Sequence, residues 1–218
     1  MRALLIKDWK LLANQKQFFM VTAFIVFVFL FTSNNPEFVV SYATIMYTVF
    51  TISTISYDDY NNGMAFLFTL PVSRREYVAE KYSFGILSAG ITAFVVLAVT
   101  VVMSGIRGDM IKLDDILIAE MTSIMIAMMF LSFTIPVQLK FGTEKGRIAM
   151  MAVSLVVFIL IWGGVKTMKS LHWSVGSFLR KLDEAPVELF VCVVLAVCAV
   201  LMLVSAAISL RVLKQREF

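Results

Sequence analysis

Residues 82–106 read YSFGILSAGITAFVVLAVTVVMSGI, twenty-five positions without one Asp, Glu, Lys or Arg. At about 1.5 Å per residue such a run crosses a ~30 Å hydrocarbon layer as a single helix. Five further stretches follow the pattern: Phe18–Thr32, Phe38–Tyr57, Ile116–Val137, Ile148–Val165 and Val187–Leu210. The first is short and begins within the Gln15–Gln17 region. Their ends are marked by Asn34-Asn35-Pro36 after the first, Asp58-Asp59 after the second and Gly163-Gly164 closing the fifth. The expected fold class is all-α, a polytopic membrane protein with six transmembrane helices.

Composition supports lipid as the solvent. Of 218 residues, 60% are hydrophobic and only 16% charged, with a mean hydropathy of +0.89. Soluble domains sit nearer half apolar and a quarter charged. One soluble core of this size could not bury all six runs. The net charge of +4 and a pI near 9.1 do not indicate nucleic acid, because the basic residues flank apolar runs and no nucleic-acid-binding motif accompanies them.

Those flanking charges predict orientation. With the N-terminus inside, inward segments carry Arg2, Lys7, Lys10, Lys16, Arg74, Arg75, Lys81, Lys140, Lys145, Arg147, Arg211, Lys214 and Arg216. Outward segments hold Arg107, Lys112, Lys166, Lys169, Arg180 and Lys181. Thirteen against six places both termini in the cytoplasm. The long charged start and the lack of a small-residue cleavage site argue against a cleaved signal.

Two segments read as surface helices. In Met1–Lys16, Leu5, Trp9 and Leu12 share one helical face while Lys7, Lys10 and Asn14 take another, which predicts an amphipathic interfacial helix with Trp9 at headgroup level. On the outer side, Leu171, Val175, Phe178, Leu179 and Leu182 form a stripe beside Lys169, His172, Arg180 and Lys181. Anchoring the bundle and gating a pathway are both compatible with such helices.

Much enzyme chemistry is excluded. His172 is the only histidine, so there is no HExxH zinc site, and no G-x-S-x-G elbow accompanies it. Gly142-Thr143-Glu144-Lys145-Gly146-Arg147 lacks the order of a phosphate-cradling loop and its Ser or Thr. The chain is expected not to be an enzyme and to hold no cofactor or metal. Cys192 and Cys198, six apart in one apolar run, point to different helix faces and read as small apolar residues. Arg107-Gly108-Asp109 reads as a polar turn, and Asp109, Asp114 and Asp115 as solvated loop charges. Glu120 lies about one turn inside the fourth run. It either sits at headgroup depth, the favoured reading, or turns into the bundle, where it would mark a pathway.

The longest inward segment, Tyr57–Lys81, has internal architecture. Gly63 offers a turn or helix end, and Pro71 separates two short helical stretches. Ser73 and Glu76 have the spacing of a capping box that starts the next helix. Met64, Phe66, Leu67 and Phe68 make a strongly apolar patch that needs covering by lipid, by the bundle or by a partner.

The run Leu70-Pro71-Val72-Ser73-Arg74-Arg75-Glu76-Tyr77-Val78-Ala79-Glu80-Lys81-Tyr82 resembles the signature of ABC-2-type transporter permeases, the membrane subunits of many ABC exporters. The inward loop Pro136–Arg147 resembles that of a small six-span subgroup similar to exporters of cytolytic peptides. The likeness covers the whole chain, 1–218, as a single transmembrane domain. The Met64–Phe68 stretch departs from it, being greasier than the family pattern.

The resemblance implies a permease in a bacterial plasma membrane. A second permease subunit, identical or similar, would pair with it, and separate ATPase subunits would supply ATP and Mg. It implies an ATPase-coupling element at Asp58, Asp59, Tyr60, Asn61, Asn62, Gly63, Met64, Phe66, Leu67, Leu70, Arg74 and Arg75. A second inward contact would lie at Lys140, Phe141, Glu144, Lys145 and Arg147. The competing reading is a membrane immunity, sensory or scaffold protein that transports nothing.

Overall fold

The computed structural model describes residues 1–32, 35–60, 63–107, 113–170 and 187–216, with side chains at 107, 113–114, 143–147, 149–150 and 152–192 outside the description. Among the described residues the regular structure is entirely helical: α1 (Arg2–Asn14), α2 (Lys16–Thr32), α3 (Pro36–Asp59), α4 (Gly63–Leu67), α5 (Arg74–Arg107), α6 (Leu113–Ser170) and α7 (Val187–Gln215).

Among the described residues four helical segments have the length and hydropathy of membrane spans: Pro36–Asp59, Arg74–Ile106, Asp115–Gly142 and Val193–Gln215. They coincide with four of the six expected runs. The first expected run is α2, which meets α1 at a 66° bend and passes the length test only together with it. The fifth, Ile148–Val165, lies within α6, where most of its side chains are outside the described residues. The outer surface stripe 171–182 and Arg107-Gly108-Asp109 fall on or next to undescribed residues.

Helix α3 is the central strut, packed on α5 and α6, while α7 packs mainly on α6. Over half of its apolar window is buried, against about a fifth of those of α5 and α7. Its start is set by Pro36 in the first turn, where the missing N–H is harmless. Its buried face carries a polar stripe of Thr44, Thr48, Thr51, Thr54 and Asp58, spaced three or four apart. Such groups are costly in hydrocarbon unless bonded. Thr48 donates to the Thr44 carbonyl at 2.7 Å, Thr51 pairs with Ser88 at 3.2 Å, and Thr54 donates to the Thr51 carbonyl at 2.8 Å.

The greatest departure from expectation is in α6. The sequence predicts a fourth span ending at Val137, with a loop from Pro136 to Arg147. Instead the helix runs through Pro136 to Phe141 and breaks at a single residue, Gly142, whose φ of 72° and ψ of −171° are non-helical. Pro136 cannot donate to the Ser132 carbonyl one turn back, which normally ends or kinks a helix. Here the hydroxyl of Ser205 on α7 donates to that carbonyl. Tyr82 on α5 meets Ser205 at 2.6 Å and Ser209 at 3.0 Å, so three helices share one polar knot.

Candidate functional site

Both ends of the α3–α5 connection, the α6 break and the last residues of α7 converge at one end of the bundle. Gly63 opens α4 close against α3, and a Cβ there would stand 2.7 Å from the Asp58 carbonyl. The expected capping box forms. The Ser73 amide and hydroxyl both donate to Glu76 Oε2, at 3.1 and 3.0 Å, and the Glu76 amide donates back to Ser73 Oγ at 3.2 Å. It sets the first turn of α5, and the intervening Leu70-Pro71 lets α4 fold under the bundle.

The short helix α4 divides the expected contact residues in two. Met64 and Leu67 point inward and join a core with Ile55, Tyr77, Leu139 and Leu213. Tyr60 and Phe66 point outward, 68% and 70% exposed, and Leu70 is also exposed. The apolar patch therefore has its own bundle as cover on one side and nothing within the described chain on the other. Asn61 and Asn62 lie outside the described residues.

Two arginines lash this elbow to the rest. Arg216, just beyond α7, pairs with Asp59 at 2.8 Å and donates to the Leu139 carbonyl at 3.3 Å. It also reaches Met64 Sδ at 3.7 Å. Arg74 donates to the carbonyls of Lys214 at 2.7 Å and Arg216 at 3.3 Å. Its guanidinium stands 5.9 Å from the centre of the Phe68 ring. The left-handed Gly142 fits this junction because a Cβ would come within 2.6 Å of Asp59 Oδ2. Arg75, Lys140 and Phe141 are exposed on the same end. The side chains of Glu144, Lys145 and Arg147 are outside the described residues.

Asp58, expected on the docking face, is buried and belongs to an ionic cluster behind the elbow. Lys81, fully enclosed, pairs with Asp8 and lies 2.9 Å from Asp58 Oδ2. Lys7 pairs with Asp58 and lies 3.0 Å from Asp8 Oδ1. Tyr77 donates to Asp58 Oδ2 at 3.0 Å, and Lys81 donates to Thr54 Oγ1 at 3.1 Å. Asp8 and Asp58 thus face two ammonium groups, which lowers the cost of holding charge in a desolvated place, with Glu80 as a third carboxylate beside Lys81. Burial alone pushes the Asp8 carboxyl up, but Lys81 and Lys7 outweigh it and hold it below the usual value. Glu80 is also enclosed; it lies 3.7 Å from Lys81, and neither of its oxygens accepts a hydrogen bond.

Sequence reasoning misses this cluster. Helix α1 is present as expected, and it buries Leu4 and Asp8 against the bundle. Trp9 is exposed, with Leu5 and Leu12 half-buried. The available signal is Leu4 and Asp8 one turn apart on one face, with Lys7 adjoining.

Glu120 is 4% exposed and turned into the bundle. Thr44 on α3 donates to its Oε1 at 2.8 Å, and its Oε2 has no hydrogen-bond partner. Val40, Ala43, Val96 and Ile116 form an apolar cluster across α3, α5 and α6. Among the described residues no group of His, Cys, Asp and Glu could hold a metal ion, and Cys198 is buried as a free thiol.

No curated protein and no solved structure matches the chain. Its residues 3–214 match the model of a transporter family, described as ABC-2 family transporter protein. A match over nearly the whole chain, on a multi-pass helical bundle, shows that the protein belongs to the ABC-2 transporter family, the membrane components of ABC transporters.

Proposed function

We propose that the chain is the permease subunit of an ATP-driven ABC exporter and that separate ATPase subunits dock on α4. The observation that carries this reading is the two-sided α4. Its inner residues are buried in the bundle, while Tyr60, Phe66 and Leu70 present exposed apolar surface. A simple connector has no use for such a face, and a docking helix does.

The lashings explain how force would pass. Displacing α4 displaces Asp59 and Met64, and through Arg216 it acts on α6 and α7 together. A nucleotide-driven movement of the ATPases would then shift several spans at once, a rigid-body transition rather than a local flexing. Two permease copies would enclose the pathway between them, for a substrate such as an amphipathic peptide. In this scheme α1 rides on the cytoplasmic membrane surface, with both termini on that side of a bacterial plasma membrane.

The test is co-purification with the candidate ATPase subunit after Tyr60→Ser, Phe66→Ser and Leu70→Ser together. These changes leave the ionic cluster and the Arg216 contacts untouched, so the bundle should keep its stability while the complex is lost. Undiminished co-purification would remove α4 as the docking element.

A further inference from the structure

A cavity of about 760 Å³ lies between α2 and α5, and α1 roofs one end of it because of the 66° bend. Leu12 and Ala13 line that end, with Met20, Ala23 and Phe27 along α2 and Ile91, Val95 and Val99 along α5. The hydroxyls that α5 contributes to the wall are already engaged. Ser88 donates to the Gly85 carbonyl at 2.9 Å and Thr92 to the Ser88 carbonyl at 2.8 Å. The walls therefore ask for hydrocarbon. On α5 the lining runs from Ser88 to Val99, which at 1.5 Å per residue is roughly 16 Å, about the depth of one leaflet of a ~30 Å core.

The mouth is different. Lys16 is the one charged residue of the lining, and among the described residues no carboxylate lies within ion-pair distance of it. Trp9, more than half exposed, stands at the same end. An ammonium and an indole at the rim of a leaflet-deep apolar groove are the two groups that suit a lipid headgroup.

We propose that this groove is a binding site for an anionic glycerophospholipid, with an acyl chain between α2 and α5 and the headgroup phosphate on Lys16. The occupant would fill the space between α2 and α5 and fix the angle at which α1 lies on the bundle. The site is independent of ATPase docking on α4, so either reading can fail without the other.

The test uses the full chain in lipid nanodiscs, with Trp162→Phe and Trp173→Phe leaving Trp9 as the only tryptophan. Brominated phosphatidylglycerol is titrated into a phosphatidylcholine background, and brominated phosphatidylcholine serves as the comparison. The expected result is saturable quenching of Trp9 with about a fivefold preference for phosphatidylglycerol, the effect of one lysine charge near an anionic headgroup. Lys16→Glu should abolish the preference, and Ala23→Phe, which fills the groove, should abolish saturation for both lipids. Quenching that rises linearly with either lipid and ignores Lys16→Glu would overturn the site, since Trp9 would then report only bulk bilayer. Quenching governed by the number of protein copies per disc would also overturn it, by giving the groove to a second copy. Lys16 is exposed and unpaired, so its variant decides the matter even if Ala23→Phe fails to fold.

Discussion

The elbow end of the bundle and the α2–α5 side solve opposite problems with the same helices. At the elbow, polar and charged groups are drawn inward and tied across elements: Lys7, Asp8, Asp58 and Lys81 in one cluster, Arg216 and Arg74 in another set of bonds. On the α2–α5 side the hydroxyls of α2 fold back on their own helix. Thr22 donates to the Phe18 carbonyl at 2.9 Å and Thr32 to the Val28 carbonyl at 2.8 Å, leaving the outer faces to apolar residues. Helix α2 meets α3 chiefly through rings, with Phe19 stacked on Tyr47 at 5.3 Å and Phe29 edge-on to Phe38 at 5.5 Å. Directional bonds fix geometry at the elbow, whereas non-directional contacts suffice along the α2–α5 side.

The comparison is broken most severely by Lys81→Met. It leaves Asp8 and Asp58 enclosed with only Lys7 between them, and should cost about 3–5 kcal/mol. Thermal unfolding of the protein in detergent would register this as a large fall in Tm. Adding Asp8→Leu should recover part of the loss by removing the carboxylate left over; no recovery would mean that the cluster is not one coupled unit.

A smaller effect is expected from Gly142→Ala. A side chain at φ 72° and ψ −171° is strained, by about 1–3 kcal/mol, and its Cβ would also push the Asp59 carboxylate away from Arg216. If the junction is as tight as its distances indicate, Arg216→Ala should erase much of the added penalty in a double-mutant cycle. Ser205→Ala should cost about 1 kcal/mol, by leaving the Ser132 carbonyl without its donor in a place water does not reach. The cost should shrink when Pro136 is replaced by Ala, because the helix then satisfies that carbonyl itself. At the other extreme, Phe66→Ser removes only exposed surface and should alter stability by no more than about 0.5 kcal/mol. A larger drop in Tm would show that the outer face of α4 is not free.

What can be read from residues and what cannot follow from the range of the physics. The spans are legible because hydropathy is a local property: α3 matches its expected run to within two residues at each end, while the helices α5 and α7 extend past theirs, into Arg74 at the start of α5 and Gln215 at the end of α7. The capping box is legible because Ser73 and Glu76 satisfy one another within a single turn. Asp8 is not, because its partner Lys81 is 73 positions away and each looks like a solvated flanking charge on its own. Asp58 misleads for the same reason: next to Asp59 it reads as exposed, yet one turns in toward Lys81 and the other out toward Arg216. Pro136 misleads most directly. As a helix breaker it predicts a loop, and only a serine 73 positions beyond the orphaned Ser132 carbonyl explains why no loop is needed.

That proline has one more consequence. A carbonyl that its own helix cannot use becomes an address, recognised by whichever hydroxyl is carried past at the right height and angle. Because Ser205 answers it while Tyr82 holds Ser205 and Ser209 together, α7 can neither spin about its axis nor slide by a turn without forfeiting three bonds at once. An otherwise greasy rod is thereby keyed into one setting against both α5 and α6.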